Sequence, residues 1–140
     1  MRGKTMDGLE LGQKAVIVKT ITAADIEQYS TLTGDRNPLH TDHAFAKRTR
    51  FGEPIAQGML AASVISACIG SRLPGPGTIY LSQELRFLRP VKIGDTVIAR
   101  VEVTELIREK HRVRLKTTLH NQRGEPVIEG SALVIPPSHH

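Results

Sequence analysis

Residues 58–72 read GMLAASVISACIGSR. Met59, Leu60, Ala61, Ala62, Val64, Ile65, Ala67, Cys68 and Ile69 place apolar groups on nearly every face of a helix running from Gly58 to about Arg72. A helix without a polar face belongs inside a fold rather than on its surface. Pro74, Gly75, Pro76 and Gly77 end it. The remaining elements must therefore supply its cover.

Downstream the apolar period changes to two, the period of strands. Ile79, Leu81, Leu85 and Phe87 are expected on one strand face. Val97, Ala99, Val101 and Val103 follow on a second strand, Val113, Leu115 and Leu119 on a third, and Ile128, Ala132 and Val134 on a fourth. Turn chemistry separates them at Pro90 with Gly94-Asp95, at Arg108 to Lys110, and from Asn121 to Pro126 around Gly124. Four consecutive long strands read as an antiparallel sheet, and a sheet wrapped about the apolar helix is the economical arrangement. Upstream, β-branched Val16, Ile17 and Val18 mark a first strand over Gln13 to Thr20. Thr22 and Asp25 have capping-box spacing and Ile21 and Ile26 that of a hydrophobic staple, so a helix is expected from about Ala23 to Thr33, stopped by Gly34. Thr41 or Asp42 caps a further short helix through about Arg48. The fold class is α+β, with residues 1–140 forming one domain.

At 140 residues such a domain buries roughly two thirds of the surface of its unfolded chain. The hydrophobic content is 39% and aromatic residues make up only 4%, which describes an aliphatic core and excludes an aromatic platform for nucleic-acid bases. The formal charge of +5 suits an anionic partner. Its densest groups are Lys47-Arg48-Thr49-Arg50 and Arg108 to Arg114, each readable as a solvated face or as a contact for phosphates. Cys68, the single cysteine, permits no internal disulfide and reads as helix packing. Met1 to Leu11 is polar, and the stretch from Met59 to Ile69 is far short of a membrane span. The expectation is a soluble cytoplasmic protein without membrane or nucleic-acid contacts. Pro136 to His140 reads as a frayed end, His139 and His140 as remnants of a purification tag.

The chemistry concentrates in YSTLTGDRNPLH, residues 29–40. Gly34 can adopt a left-handed backbone, and Pro38 fixes its own φ and keeps Asn37 extended, so Asp35 and His40 are presented by a stiff turn. A carboxylate and an imidazole held together can position and deprotonate a water and return a proton elsewhere on a substrate, enough to add water to a polarised double bond. The same residues are also ordinary turn formers. A metal site from His40, Asp42 and His43 is the weaker alternative, because no zinc-type spacing recurs elsewhere. Asn37 reads as the residue holding the loop through backbone bonds. Gln83, set between Leu81 and Leu85, either bonds a neighbouring strand or lines a tunnel.

Tyr29-x4-Gly34-Asp35-x-Asn37-Pro38-Leu39-His40, with Ala46 six residues on, resembles the signature of the MaoC-like, (R)-specific enoyl-CoA hydratases (hydratase 2). FGEPIAQGMLAAS at residues 51–63 and LPGPGTIYLSQELRFLRPVKIGD at residues 73–95 extend the likeness over nearly the whole chain. The resemblance implies a hot-dog fold, trans-2-enoyl-CoA as substrate, (R)-3-hydroxyacyl-CoA as product, and a homodimer with its site near the subunit interface. It implies no metal or redox cofactor, coenzyme A being part of the substrate. Asp35 and His40 match the catalytic pair, and Asn37, Gln57, Gly58 and Ser63 fall in the substrate-binding region. Gly58 opens the buried helix, where unpaired backbone N–H groups can receive negative charge from a thioester oxygen. The Ser63 hydroxyl either bonds back to a carbonyl one turn earlier or reaches the pair. Gln57 stands where the family commonly has histidine. The rival readings are a hot-dog acyl-thioesterase, an acyl-carrier-protein dehydratase, and a non-catalytic acyl-CoA-binding module.

Overall fold

The computed structural model describes residues 2–138; His139 and His140 lie outside the described residues. Five strands, β1 (Lys14–Thr20), β2 (Ile79–Phe87), β3 (Thr96–Ile107), β4 (Arg112–Asn121) and β5 (Pro126–Ile135), form one antiparallel sheet in the order β1-β3-β4-β5-β2. Helix α4 (Gly58–Ser71) packs against β1, β3 and β4. The sheet therefore wraps the helix as expected, in the hot-dog arrangement.

The alternation read from β3, β4 and β5 is the alternation of burial. Val97, Ala99, Val101, Val103, Val113, Leu115, Leu119, Ile128, Ala132 and Val134 are all buried with the α4 face in one core. Two expectations about the sheet need correction. Although β2 precedes β3 in the chain, it pairs with β5 at the far edge. The connecting residues 88–95 do not turn back as a hairpin. They are tied elsewhere, by Leu88 N–H to the Val127 carbonyl, Ala56 N–H to the Val91 carbonyl and Gly94 N–H to the Ile21 carbonyl. Within β2, the register shifts between Tyr80 and Ser82. One extra residue reverses the parity of a strand, so Tyr80, Gln83, Leu85 and Phe87 share the face of buried Ala132 and Val134, while Ile79 faces the other way. Gln83 is bonded across the sheet, its Nε2 donating to Thr117 Oγ1 and the Ser131 carbonyl.

Helix α4 is not covered all round. Ala61, Ala62, Val64, Ile65, Cys68 and Ile69 are buried, but Met59, Ser63, Ser66 and Ala67 form an exposed flank in the single chain. Burial pushes the Cys68 thiol upward, as suits a packing residue. Helix α1 (Ala23–Thr33) has the expected ends. Thr22 Oγ1 accepts from Asp25 N–H, Thr22 N–H donates to the Asp25 carboxylate, and Gly34 closes the helix at φ 82°. The Thr22 N–H bond and the neighbouring Lys19 ammonium outweigh partial burial and hold the Asp25 carboxyl below its usual range. Ile21 and Ile26 are both buried. The described end of the chain is not frayed: Pro136 is buried, its carbonyl bonds the His111 ring at 3.1 Å, and the Pro137 ring lies beside Gly77 and Gly3.

Gly130 on β5 faces Leu85 of β2, and a Cβ there would be driven into the Glu84 carbonyl oxygen. Gly130→Ala is therefore expected to pry β2 from β5 and cost about 1–3 kcal/mol, the usual price of forcing an extra group into a packed site. Urea unfolding measures this, and an unchanged midpoint would show that β2 is not held so closely.

Candidate active site

The loop after α1 is built by its own side chains. Thr33 Oγ1 donates to the Tyr29 carbonyl and accepts from Asp35 N–H, and Asp35 Oδ1 accepts from Asn37 N–H at 3.1 Å. Asn37 Oδ1 then caps the one-turn helix α2 (Pro38–Thr41) by accepting from Leu39 N–H, with Pro38 in its first turn. His40 thus lies on a short helix and not, as the turn chemistry suggested, on the loop itself. Asp42 caps α3 (His43–Lys47) by accepting from Phe45 N–H.

His40 Nδ1 lies 2.7 Å from the Ile55 carbonyl oxygen. A carbonyl only accepts, so Nδ1 donates this bond, and in the neutral form of the ring Nε2 is the nitrogen with the lone pair. This anchor fixes the tautomer as well as the orientation. Both His40 and Asp35 are half-buried. They line one cleft of about 260 Å³ together with Tyr29, Gln57, Gly58 and Met59. A second cleft, about 230 Å³ and mostly apolar, shares His40, Gly58 and Phe87 with the first and runs toward Arg50, Arg89 and Val127.

Gly58 begins α4 at the junction of the two clefts. A Cβ on it would stand 2.9 Å from the Phe87 ring, so only glycine allows this aromatic to lie over the helix start. Gln57 provides no side-chain cap, which leaves the first-turn N–H groups available to a ligand. Its side chain turns instead toward α1, where Nε2 donates to the Ile26 carbonyl and to Ser30 Oγ, both at 3.1 Å. Gln57 is buried, and its Oε1 has no hydrogen-bond partner among the described residues. The amide orientation follows from the Ile26 carbonyl, which must face a donor.

The structure therefore brings together Asp35, His40, Gln57 and Gly58. Asn37 and Ser63 stand apart from both clefts. Asn37 is exposed and occupied as a helix cap, and the Ser63 hydroxyl donates to the Leu60 carbonyl at 2.6 Å from the exposed flank of α4. Three contributors carried no readable signal. Ile55 acts through its carbonyl, Ser30 as the partner of Gln57, and Phe87 by lying close over Gly58.

The MaoC like domain model matches residues 9–123. The chain is 47% identical over 132 residues to an (R)-specific enoyl-CoA hydratase from Rhodospirillum rubrum, spanning 94% of this chain and 91% of that protein. It is 48% identical over 128 residues to a 3-hydroxybutyryl-CoA dehydratase from Methylorubrum extorquens, spanning 91% of this chain and 81% of the other. The solved structure of the unliganded R-hydratase PhaJ1 from Pseudomonas aeruginosa superposes with a TM-score of 0.93 at 46% identity, covering 98% of this chain and 88% of that one.

Gln57→Ala strands the Ile26 carbonyl and the Ser30 hydroxyl and is expected to cost about 1–3 kcal/mol in stability. Gln57→Glu keeps the shape but places a carboxylate against the Ile26 carbonyl. Burial raises the folded-state pKa of such a carboxyl, so this variant should be hurt more at neutral than at acid pH. Equal melting of both variants and the parent would deny the α1–α4 tie.

Proposed function

The chain belongs to the MaoC-like domain family, and from that membership and the cleft geometry we propose that it is an (R)-specific enoyl-CoA hydratase, converting trans-2-enoyl-CoA to (R)-3-hydroxyacyl-CoA. The observation that carries the reading is the convergence of the Asp35 carboxylate, the His40 imidazole and the open start of α4 on one cleft.

The chemistry follows from what each group holds before substrate arrives. The thioester carbonyl makes C3 electrophilic. Its oxygen, placed at the first turn of α4, draws N–H donors and the positive end of the helix dipole as negative charge develops. A water lying between Asp35 and His40 gives its hydrogens to two acceptors and turns a lone pair toward C3. As the O–C3 bond forms, Asp35 takes one proton and the C2–C3 π electrons move toward the carbonyl. In its neutral form His40 has no free proton to give, because its one N–H is engaged by Ile55. The proton that C2 receives is thus the one just taken from water, delivered from the same face. The net change is addition of H and OH with no other reactant, and the proposal includes no metal or redox cofactor. Asn37 supports this geometry by holding the Asp35 loop, and Gln57 by tying α1 to α4.

We also propose a homodimer in the cytoplasm, where Cys68 stays reduced. The exposed α4 flank and the outer edge of β2, with Ile79 57% and Leu81 43% exposed, present apolar surface and unpaired strand backbone that a second copy can cover. Ser63, on that flank, would face the interface. Among the described residues no helix is long and apolar enough to cross a membrane. Light scattering should give twice the chain mass at micromolar concentration, and a fully active monomer would defeat the dimer.

Loss of enoyl absorbance on mixing with crotonyl-CoA tests the activity. Asp35→Asn and His40→Ala should each lower turnover by about 10²- to 10⁴-fold while the protein remains folded, with the double variant little worse than the weaker single one. Release of free coenzyme A thiol instead would support the thioesterase reading. Normal hydration by folded Asp35→Asn would overturn the mechanism, and (S) product would overturn the assigned specificity.

A further inference from the structure

On the surface of the sheet turned away from α4, register pairs opposite charges in two places. Arg86 of β2 lies opposite Glu129 of β5, their ionic groups 3.6 Å apart, and Arg114 of β4 lies opposite Glu105 of β3 at 3.1 Å. Across β1, β3 and β4 the same surface breaks this rule. Lys14 and Lys116 both oppose Glu102, while Arg100 stands between Val16 and Thr118, diagonal to Lys116. Three cations thus share one carboxylate, whose ion pair is a 4.0 Å approach of Lys14. The Arg100 and Lys116 side chains have neither an ion pair nor a hydrogen bond among the described residues.

Diagonal neighbours on one face lie about 7–8 Å apart, and positions two strands apart about 10 Å. Like charges so placed repel, and a single anionic ligand can reach them all. Lys14, Arg100, Glu102, Lys116, Thr118 and His120 line a depression of about 360 Å³. Beside it on the same face run Val16, 42% exposed, Val18, 60% exposed, and half-buried Ile98, the partner of Val18 in the ladder. None of these residues lines either cleft. Pairing of two copies through β2 and the α4 flank leaves β1, at the opposite edge of the sheet, uncovered.

We propose that this face docks an acidic amphipathic helix of a partner protein. Its carboxylates meet Arg100, Lys116 and Lys14, and its apolar side chains cover Val16, Val18 and Ile98. The unpaired cations set the sign of the partner, and the aliphatic strip sets its amphipathic character. Carboxylates one or two helical turns apart, about 5–11 Å, match the spacing of the cations. A bare anion leaves the strip uncovered, and a nucleic-acid strand finds no Phe, Tyr or Trp there for stacking. A lipid surface suits cations spread on a plane, whereas these surround a depression with Glu102 inside it. The residues come from three strands, so neither dense basic run, 47–50 or 108–114, marks the patch in the sequence.

The test titrates the full chain at low salt with a synthetic helical peptide carrying glutamates at one-turn spacing and a leucine stripe beside them. Calorimetry should show saturable binding, and amide shifts in NMR should fall on β1, β3 and β4. Arg100→Glu and Lys116→Glu should each weaken binding about tenfold or more, the scale of a lost charge-assisted contact. Added salt should weaken it in the parent. Val18→Ser should weaken it several-fold, an effect that pure ion pairing does not produce. All three side chains are exposed, so melting should match the parent; Arg100→Gln supplies the same readout if Arg100→Glu disturbs folding. Absence of peptide binding, or equal binding by the parent and folded Arg100 and Lys116 variants, would overturn the proposal. Inorganic triphosphate bound more tightly than the peptide would make the depression a phosphate site, and phosphatidylglycerol vesicles bound in preference to the peptide would make the face a lipid contact. Either result also overturns it.

Discussion

Burial of the Ala61, Ala62, Val64, Ile65, Cys68 and Ile69 face of α4 is the constraint on which the rest depends. These side chains fill the hollow of a sheet whose inward residues are almost all Val, Ile, Leu or Ala, and hydrophobic burial of this kind is the dominant favourable contribution to folding. The helix must therefore start at the rim of the sheet, and its start places Gly58 where two clefts meet. Asp35 and His40 are then brought to that start by attachments to the backbone. Gln57 bonds to α1 and His40 bonds to the Ile55 carbonyl.

Much of this was legible because local chemistry and global packing agree. The Thr22 and Asp25 box, Gly34 as helix stop and the alternating residues of β3 to β5 all behave in the structure as isolated segments would suggest. The sheet order was not legible, because residues 88–95 contain good turn formers but are bonded to Ile21, Ala56 and Val127, distant in sequence. The faces of β2 were misread for a related reason. The bulge beside Leu81 has no compositional mark, and one residue of slip exchanges the two sides of a strand. For α4, nearly continuous apolar composition suggested cover on every side; Met59, Ser66 and Ala67 instead form surface in the single chain.

At the cleft, residue type singled out the candidates and geometry supplied their arrangement. That Asp35 and His40 lie close together was readable from spacing and family resemblance. That the His40 ring is anchored through Nδ1 was not, since this depends on a main-chain oxygen of Ile55. Gln57 shows the same division. Its departure from the family histidine was visible, whereas its role as a brace with one orphaned oxygen appears only once α1 and α4 are packed.

The central claim is that one proton leaves water at Asp35 and returns to C2 on the face that water attacks. Hydration of crotonyl-CoA in deuterium oxide, with the C2 configuration of the product read by proton NMR, tests this directly. A single deuteron at C2, added syn to the C3 hydroxyl, is the result the proposed mechanism predicts. Anti addition, or deuterium on both faces of C2 at the first turnover, would mean that the proton comes from a group other than the one that activates water.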